Sequence, residues 1–241
     1  MNISGKTKIV ALLGCPVSHS LSPAMHNAAF RAAGLDYTYI ALPVSPVNVK
    51  EAIAGMRALN LAGANVTIPH KETVIPFLDE IADDAQKIGA VNTIVVSDER
   101  LKGHNTDVYG FLRSLEEGGA RIKNARVVIL GAGGVARAMA FGAALNAASS
   151  IVITDIAQEK ADALAGGIKK AAPAAVVLSA APDSDEFTRA IAEADIIANA
   201  TPLGMNASDA LPLSRERMDK IPSGAVIFDA VYSKKNTPFL N

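Results

Sequence analysis

Short apolar runs, closed by glycine, proline or small polar residues, recur along the chain, and between them apolar positions fall at helical spacing. In the first hundred residues the runs at 9–13, 37–44, 63–67, 91–96 and 101–104 predict strands. The stretches at 23–33, 46–59, 71–78 and 79–88 predict helices, and 97–100 (Ser-Asp-Glu-Arg) reads as a hairpin turn. Residues 106–117 predict a linking helix with Val108, Phe111, Leu112 and Leu115 on one face and Gly118-Gly119 at its end. Beyond it, runs rich in Val and Ile at 126–130, 150–154, 175–178, 195–198 and 225–228 predict strands separated by alanine-rich helices. This alternation predicts an α/β architecture of mostly parallel sheets, in two domains joined near residue 107. A cleft between two such domains is the default place for a ligand.

The start of the chain offers a rival reading. Lys6 and Lys8 flank the entry to an apolar run, and Leu12-Leu13-Gly14-Cys15 has the look of a lipidation site. The unbroken run covers only 9–13, shorter than the apolar core of about 7–15 residues in a secretory signal. It then enters Pro16, Ser18, His19, Ser20, Ser22 and Pro23, so a buried strand leading into a polar loop is the better reading. The 241 residues, 50% hydrophobic, suffice for one sizeable core or two modest ones. No run of about 18 apolar residues predicts a membrane span. A single cysteine suits a reducing compartment, with a buried, inert thiol as the expectation for Cys15. A formal net charge of −1 with no basic cluster argues against a nucleic-acid partner. A cytoplasmic protein with a small-molecule partner is expected, as monomer or homodimer.

Arg126 to Arg137 runs from a strand into Gly131-Ala132-Gly133-Gly134-Val135-Ala136 and on into a helix, the G-x-G-x-x-A form of the dinucleotide fingerprint. Gly131 permits the tight turn, Gly133 lets backbone approach a pyrophosphate, and Ala136 lets the helix lie close to the strand. Amides at the helix start then face the phosphates. A second strand ends at Thr154-Asp155, where an acid meets the adenosine ribose. A carboxylate there accepts from a free 2′-hydroxyl and repels a 2′-phosphate, which favours NAD over NADP; it would also serve as a helix cap.

The first half places polar groups at the ends of predicted strands: Ser18, His19, Ser20 and Ser22; Asn65, Thr67, His70 and Lys71; Asn92 and Thr93; Asn105, Thr106 and Asp107. Ligands of open α/β sheets bind beyond the carboxyl ends of strands, and so many amides and hydroxyls suit a small, highly oxygenated substrate. Oxidation of an alcohol needs a group to take the hydroxyl proton as hydride leaves. Lys71 is the candidate, since a helix opening just after Pro69 would present its positive end to the ammonium. Asp107 is the carboxylate best placed to hold it. The four histidines show no metal-ligand spacing, and no metal is expected.

These segments together resemble the shikimate dehydrogenase family over nearly the whole chain. The matching motifs are Gly14-Cys-Pro16-Val-Ser-His19-Ser20-Leu-Ser22-Pro23, Asn65-Val-Thr67-Ile-Pro69-His-Lys71, Gly89-Ala-Val-Asn92-Thr93 and Asn105-Thr106-Asp107. Gly131 to Val135, Asn199-Ala-Thr201-Pro202-Leu-Gly204-Met and Asp229-Ala-Val-Tyr232 follow in the family's order. The resemblance implies an N-terminal α/β substrate-binding and catalytic domain, residues 1–106 plus about 231–241. A Rossmann, doubly wound dinucleotide-binding domain would occupy 107–230. It implies NADP-linked reduction of 3-dehydroshikimate to shikimate, a step toward aromatic amino acids. Ser20, Ser22 and Tyr232 would hold the substrate carboxylate; Thr67, Asn92 and Asp107 the ring hydroxyls, beside Asn65; Lys71 and Asp107 would form the acid–base pair. Thr201 and Ala230 would lie on the nicotinamide side.

Two departures from the family pattern bear on function. NADP-using members carry Asn-Arg-Thr after the second strand of the nucleotide domain, whereas this chain has Thr154-Asp155-Ile156, closer to NAD-using quinate/shikimate dehydrogenases. Family members also continue for several tens of residues past the region of Thr237-Pro238-Phe239-Leu240, with a substrate-binding glutamine in that tail, and this sequence stops at Asn241. The alternatives are therefore an NAD-dependent quinate/shikimate dehydrogenase, or a non-catalytic ligand sensor of the same fold.

Overall fold

The first apolar run forms β1 (Lys8–Gly14), whose second half is buried on both sides. A strand without a polar face belongs in the middle of a sheet, and β1 lies between β2 (Tyr37–Pro43) and β3 (Gly63–Val66), parallel to each. Helices α1 (Ser22–Ala32) and α2 (Val49–Ala58) make the two crossovers. The structure, a computed structural model, describes residues 3–205, 211–232 and 236–241.

The rest of this sheet departs from the expected parallel pattern. Its order is β2-β1-β3-β5-β6-β4, with β4 (Glu80–Ile81), β5 (Thr93–Ser97) and β6 (Arg100–His104). β5 runs antiparallel to both β3 and β6. Asp98 and Glu99 close the β5–β6 hairpin at φ 49° and 63°. Two left-handed residues are what a two-residue turn needs to follow the strand twist.

The helices expected over 71–88 are mostly absent. Residues 71–74 form turns, Ile75–Phe77 is a single 3-10 turn, and only α3 (Asp83–Ile88) is α-helical. Pro76 supplies no N–H for a helix and restrains Ile75 before it. The Asp79 carboxylate accepts the Leu101 N–H at 2.7 Å and pairs with Arg57 at 2.7 Å, which draws the chain into edge strand β4 beside β6.

From α4 (Asp107–Glu117) the chain builds a wholly parallel sheet. Its strands are β7 (Arg126–Leu130), β8 (Ser150–Thr154), β9 (Val177–Ser179), β10 (Ile196–Asn199) and β11 (Val226–Asp229). Spatial order β11-β10-β7-β8-β9 places the first strand of the unit at the point where the order reverses, the Rossmann arrangement. Helices α5 (Gly134–Leu145), α6 (Gln158–Ala171) and α7 (Asp185–Glu193) connect the strands, and α8 (Arg215–Met218) precedes β11. Helix α5 is rich in Ala and Gly and buried around much of its girth; a Cβ on its Gly142 would lie 3.1 Å from Val108 of α4.

The chain divides into two compact units, Met1–Thr106 and Asp107–Asn241. The terminal stretch expected to rejoin the first unit lies in the second. Phe239 is buried with Val128, Leu130, Phe187 and Ile197, and the Thr237 hydroxyl donates to the Asp229 carboxylate. An aromatic side chain gains more in that apolar cluster than at a surface. No helix among the described residues is long and apolar enough to cross a membrane.

Candidate active site

In the second unit, the strand-to-helix turn after β7 has the geometry a pyrophosphate requires. Gly131 adopts φ +102°, and a Cβ on it would lie 3.2 Å from the backbone carbonyl of Ala200. Gly133 is the N-cap of α5, and a Cβ there would meet nothing within 4 Å, so space is open beside the turn. Gly134 and Val135 form the first turn of α5, and Ala136 is fully buried. The Thr154 carbonyl accepts the Gly131 N–H at 2.7 Å.

Asp155 serves this turn directly. One carboxylate oxygen accepts the Ala132 N–H at 2.8 Å, and the other accepts the N–H of Ala157, the N-cap of α6, at 2.9 Å. The acid thus braces the turn and the approach to α6 rather than capping that helix, whose N-cap is Ala157, and it is fixed at the carboxyl end of β8. The residues fit a dinucleotide: a glycine turn with open space beside it, a helix start behind it, and an acid at the next strand end.

Asn199 ends β10, fully buried. Its carboxamide oxygen accepts the Thr201 N–H at 3.0 Å and hydroxyl at 2.7 Å, and its amide donates to Asp229 at 2.9 Å. Asp229 also accepts the Val231 N–H at 3.0 Å. Thr201 and Ala230 are thus held at neighbouring strand ends, since β10 pairs with β11 through Asn199 and Asp229. Polar residues ending two predicted strands were the legible signal for Asn199 and Asp229, which the sequence reading left without roles.

The first unit brings its amides and hydroxyls into one chain of hydrogen bonds. The Tyr39 hydroxyl donates to Asn65 at 2.9 Å, and the Asn65 amide reaches Thr93 Oγ1 at 3.2 Å. Thr93 donates to Asn92 at 2.9 Å, and Asn92 exchanges bonds with Thr106 at 2.9 and 3.0 Å. The Asn27 carboxamide binds both backbone groups of Tyr39 at 2.9 Å, pinning α1 to β2. Tyr39 lies mid-strand and Asn27 mid-helix, where periodicity carries no sign of such roles.

Lys71 is 8% exposed, too little for a solvated surface lysine. Its carbonyl accepts the Val91 N–H at 2.7 Å, which fixes the turn to the residue preceding Asn92. No helix begins there, so the helix-end argument for Lys71 does not hold; burial singles the residue out instead. Thr67 precedes it on the same turn, bonded through its N–H to Leu13 at 2.9 Å. Ser20 accepts the N–H of Ser22, the first residue of α1, at 3.2 Å. Asp107 opens α4 in the second unit, as does exposed Tyr232 belong to it. Cys15 is exposed rather than buried, because the turn through Pro16 gives the buried position to Val17. His26 stacks on the Tyr39 ring at 4.4 Å, and burial lowers its pKa.

A Rossmann unit with a phosphate turn, joined to an α/β unit carrying a buried lysine among amides and hydroxyls, defines a nicotinamide-nucleotide oxidoreductase of a small polar substrate. The sequence profile of the shikimate dehydrogenase substrate binding domain matches residues 12–94. The shikimate dehydrogenase (NADP+) of Moorella thermoacetica is 46% identical over 100% of this chain and 80% of its own length. A shikimate dehydrogenase solved in complex with NADP+ superposes with a TM-score of 0.89 at 42% identity, covering 99% of this chain and 82% of that one. The Listeria monocytogenes shikimate 5-dehydrogenase, solved with shikimate and NAD, gives 0.87 at 35% identity, over 98% and 83%. The chain belongs to the shikimate dehydrogenase family.

Proposed function

We propose that this protein catalyses the reversible NAD(P)H-dependent reduction of 3-dehydroshikimate to shikimate, in the cytoplasm. The observation that carries this reading is the burial of Lys71 on a turn where its carbonyl accepts the N–H of Val91, the residue before Asn92. The bound nicotinamide supplies or takes the hydride. In reduction, the Lys71 ammonium donates a proton to the carbonyl oxygen as the carbon gains hydride; in oxidation, the neutral amine takes the hydroxyl proton back. Asp107 is assigned as the second member of the acid–base pair. Asn65, Thr67 and Asn92 bind ring hydroxyls, and Ser20, Ser22 and Tyr232 the carboxylate.

Gly131, Ala132, Gly133, Gly134 and Val135 would hold the phosphates, Thr154 and Asp155 the adenosine ribose, and Thr201 and Ala230 the nicotinamide side. Of the two cofactors, NAD is the preferred one. Ala132 and Ala157 hold the Asp155 carboxylate at the end of β8, and a negative charge there would repel a 2′-phosphate. The test is formation of reduced nicotinamide from shikimate with NAD and NADP in parallel, and again with quinate. Turnover favouring NAD supports the whole reading, and turnover favouring NADP refutes the role of Asp155 alone. Equal turnover of quinate makes the protein a quinate/shikimate enzyme, and silence in all four assays refutes catalysis.

A further inference from the structure

His70 stands immediately before Lys71 and is 1% exposed. Its Nε2 lies 2.7 Å from the carbonyl oxygen of Val44, just beyond β2. A carbonyl can only accept, so the ring proton sits on Nε2 and is donated to Val44. The opposite tautomer would set a nitrogen lone pair against the carbonyl oxygen. It would also bury an N–H at Nδ1, an atom with no partner among the described residues. An unpaired buried donor is costly.

The acceptor is itself fixed, because the Val44 N–H donates to the carbonyl of Gly14, the last residue of β1, at 2.9 Å. Gly14 backs onto the turn, where a Cβ would run into Thr67 Cγ2. The His70 backbone closes the turn from within. Its N–H donates to Thr67 at 2.9 Å, and its carbonyl accepts the Val74 N–H at 3.1 Å and the Thr73 hydroxyl at 3.2 Å. The ring thus ties the segment bearing Thr67 and Lys71 to the ends of two strands.

We propose that His70 is a positioning residue for the reaction: its Nε2–H bond to Val44 holds the backbone from which Lys71 acts. The proposal rests on Lys71 as the proton-transfer group. The glutamine amide in His70→Gln reaches the place of Nε2 and keeps the donor, whereas His70→Asn stops short of it and His70→Leu has none. Turnover of His70→Gln is expected within about threefold of the parent, and that of the other two at least about tenfold lower. The KM for shikimate is expected to change by less than about threefold, since small displacements of a reacting group act on the chemical step. Long-range 15N–1H spectra of the parent at pH 7.5 are expected to show the Nε2–H tautomer, a readout independent of how the variants fold. An Nδ1–H tautomer, or His70→Asn turning over like His70→Gln, overturns the proposal. Lys71→Met at parental turnover removes the reading beneath it, whatever the tautomer.

Discussion

At the residue scale the burial of Lys71, the proposed proton-transfer group, sets the first expected outcome. Replacing it by Met keeps the alkyl chain and removes the proton carrier. A group acting mainly in the transition state lowers turnover far more than binding when lost. Steady-state kinetics of Lys71→Met are expected to show kcat down by at least about a hundredfold, with KM for shikimate within severalfold; unchanged kcat would sink the assignment. Asp155 braces the phosphate turn, and one substitution can separate that bracing from its proposed role in cofactor choice. Asp155→Asn removes the charge but keeps a carbonyl oxygen able to accept one of the two backbone N–H bonds. Relative efficiency with NADP over NAD is expected to rise about tenfold, or about 1.4 kcal/mol, measured as the ratio of kcat/KM values. No change in that ratio would mean the carboxylate does not face the 2′ position. Asp155 follows directly on an apolar run in the sequence, and Lys71 lies on the turn after one. The order of Tyr39, Asn65, Thr93 and Asn92 along one hydrogen-bonded chain was not legible there, because it depends on which strands become neighbours.

At the scale of elements, the strand–turn–helix of 126–145 was readable because glycine spacing and apolar period agree locally. Gly131 is where that local rule is most demanding. Its φ of +102° and the 3.2 Å approach to Ala200 leave an alanine both strained and crowded. Gly131→Ala is expected to cost about 1–3 kcal/mol, lowering the melting temperature by several degrees. It should also raise the KM for the cofactor more than that for shikimate. Equal changes in the two KM values would remove the phosphate turn from cofactor binding. The stretch 71–88 shows the converse. Its apolar spacing is helical, yet Pro76 interrupts it, and bonds from Asp79 to Arg57 and Leu101 are long-range pairings that no window of sequence reveals. Phe239 and Thr237 were misassigned for the same reason: their partners, Val128 and Asp229, are set by the tertiary fold.

Over the whole molecule, the two units carry titrating groups whose shifts predict a two-step response to acid. His26 is half-buried against Tyr39, and this burial lowers its pKa below the ordinary 6.5. Between the folded and ordinary values the unfolded chain binds a proton that the folded chain does not, so stability falls as pH drops below about 6.5. Asp79 in the first unit is held below the ordinary carboxylate value by the Leu101 N–H and by Arg57. In the second unit, the side chain and N–H of Arg126 hold Asp195 down in the same way. These depressed carboxylates contribute above their ordinary value of 3.8, and that contribution is lost as pH falls through their folded values. Melting temperature is therefore expected to decline shallowly from pH 7 to 5 and steeply below about pH 4. His26→Phe keeps a ring for Tyr39 but cannot titrate. It is expected to flatten the upper decline by about one to three degrees while leaving the lower one. Scanning calorimetry of parent and variant from pH 7.5 to 3.5 decides the matter: parallel curves across the upper range would mean that His26 does not couple protonation to folding. Because Asp79 and Asp195 lie in different units, Asp79→Asn and Asp195→Asn are each expected to remove only part of the steep step.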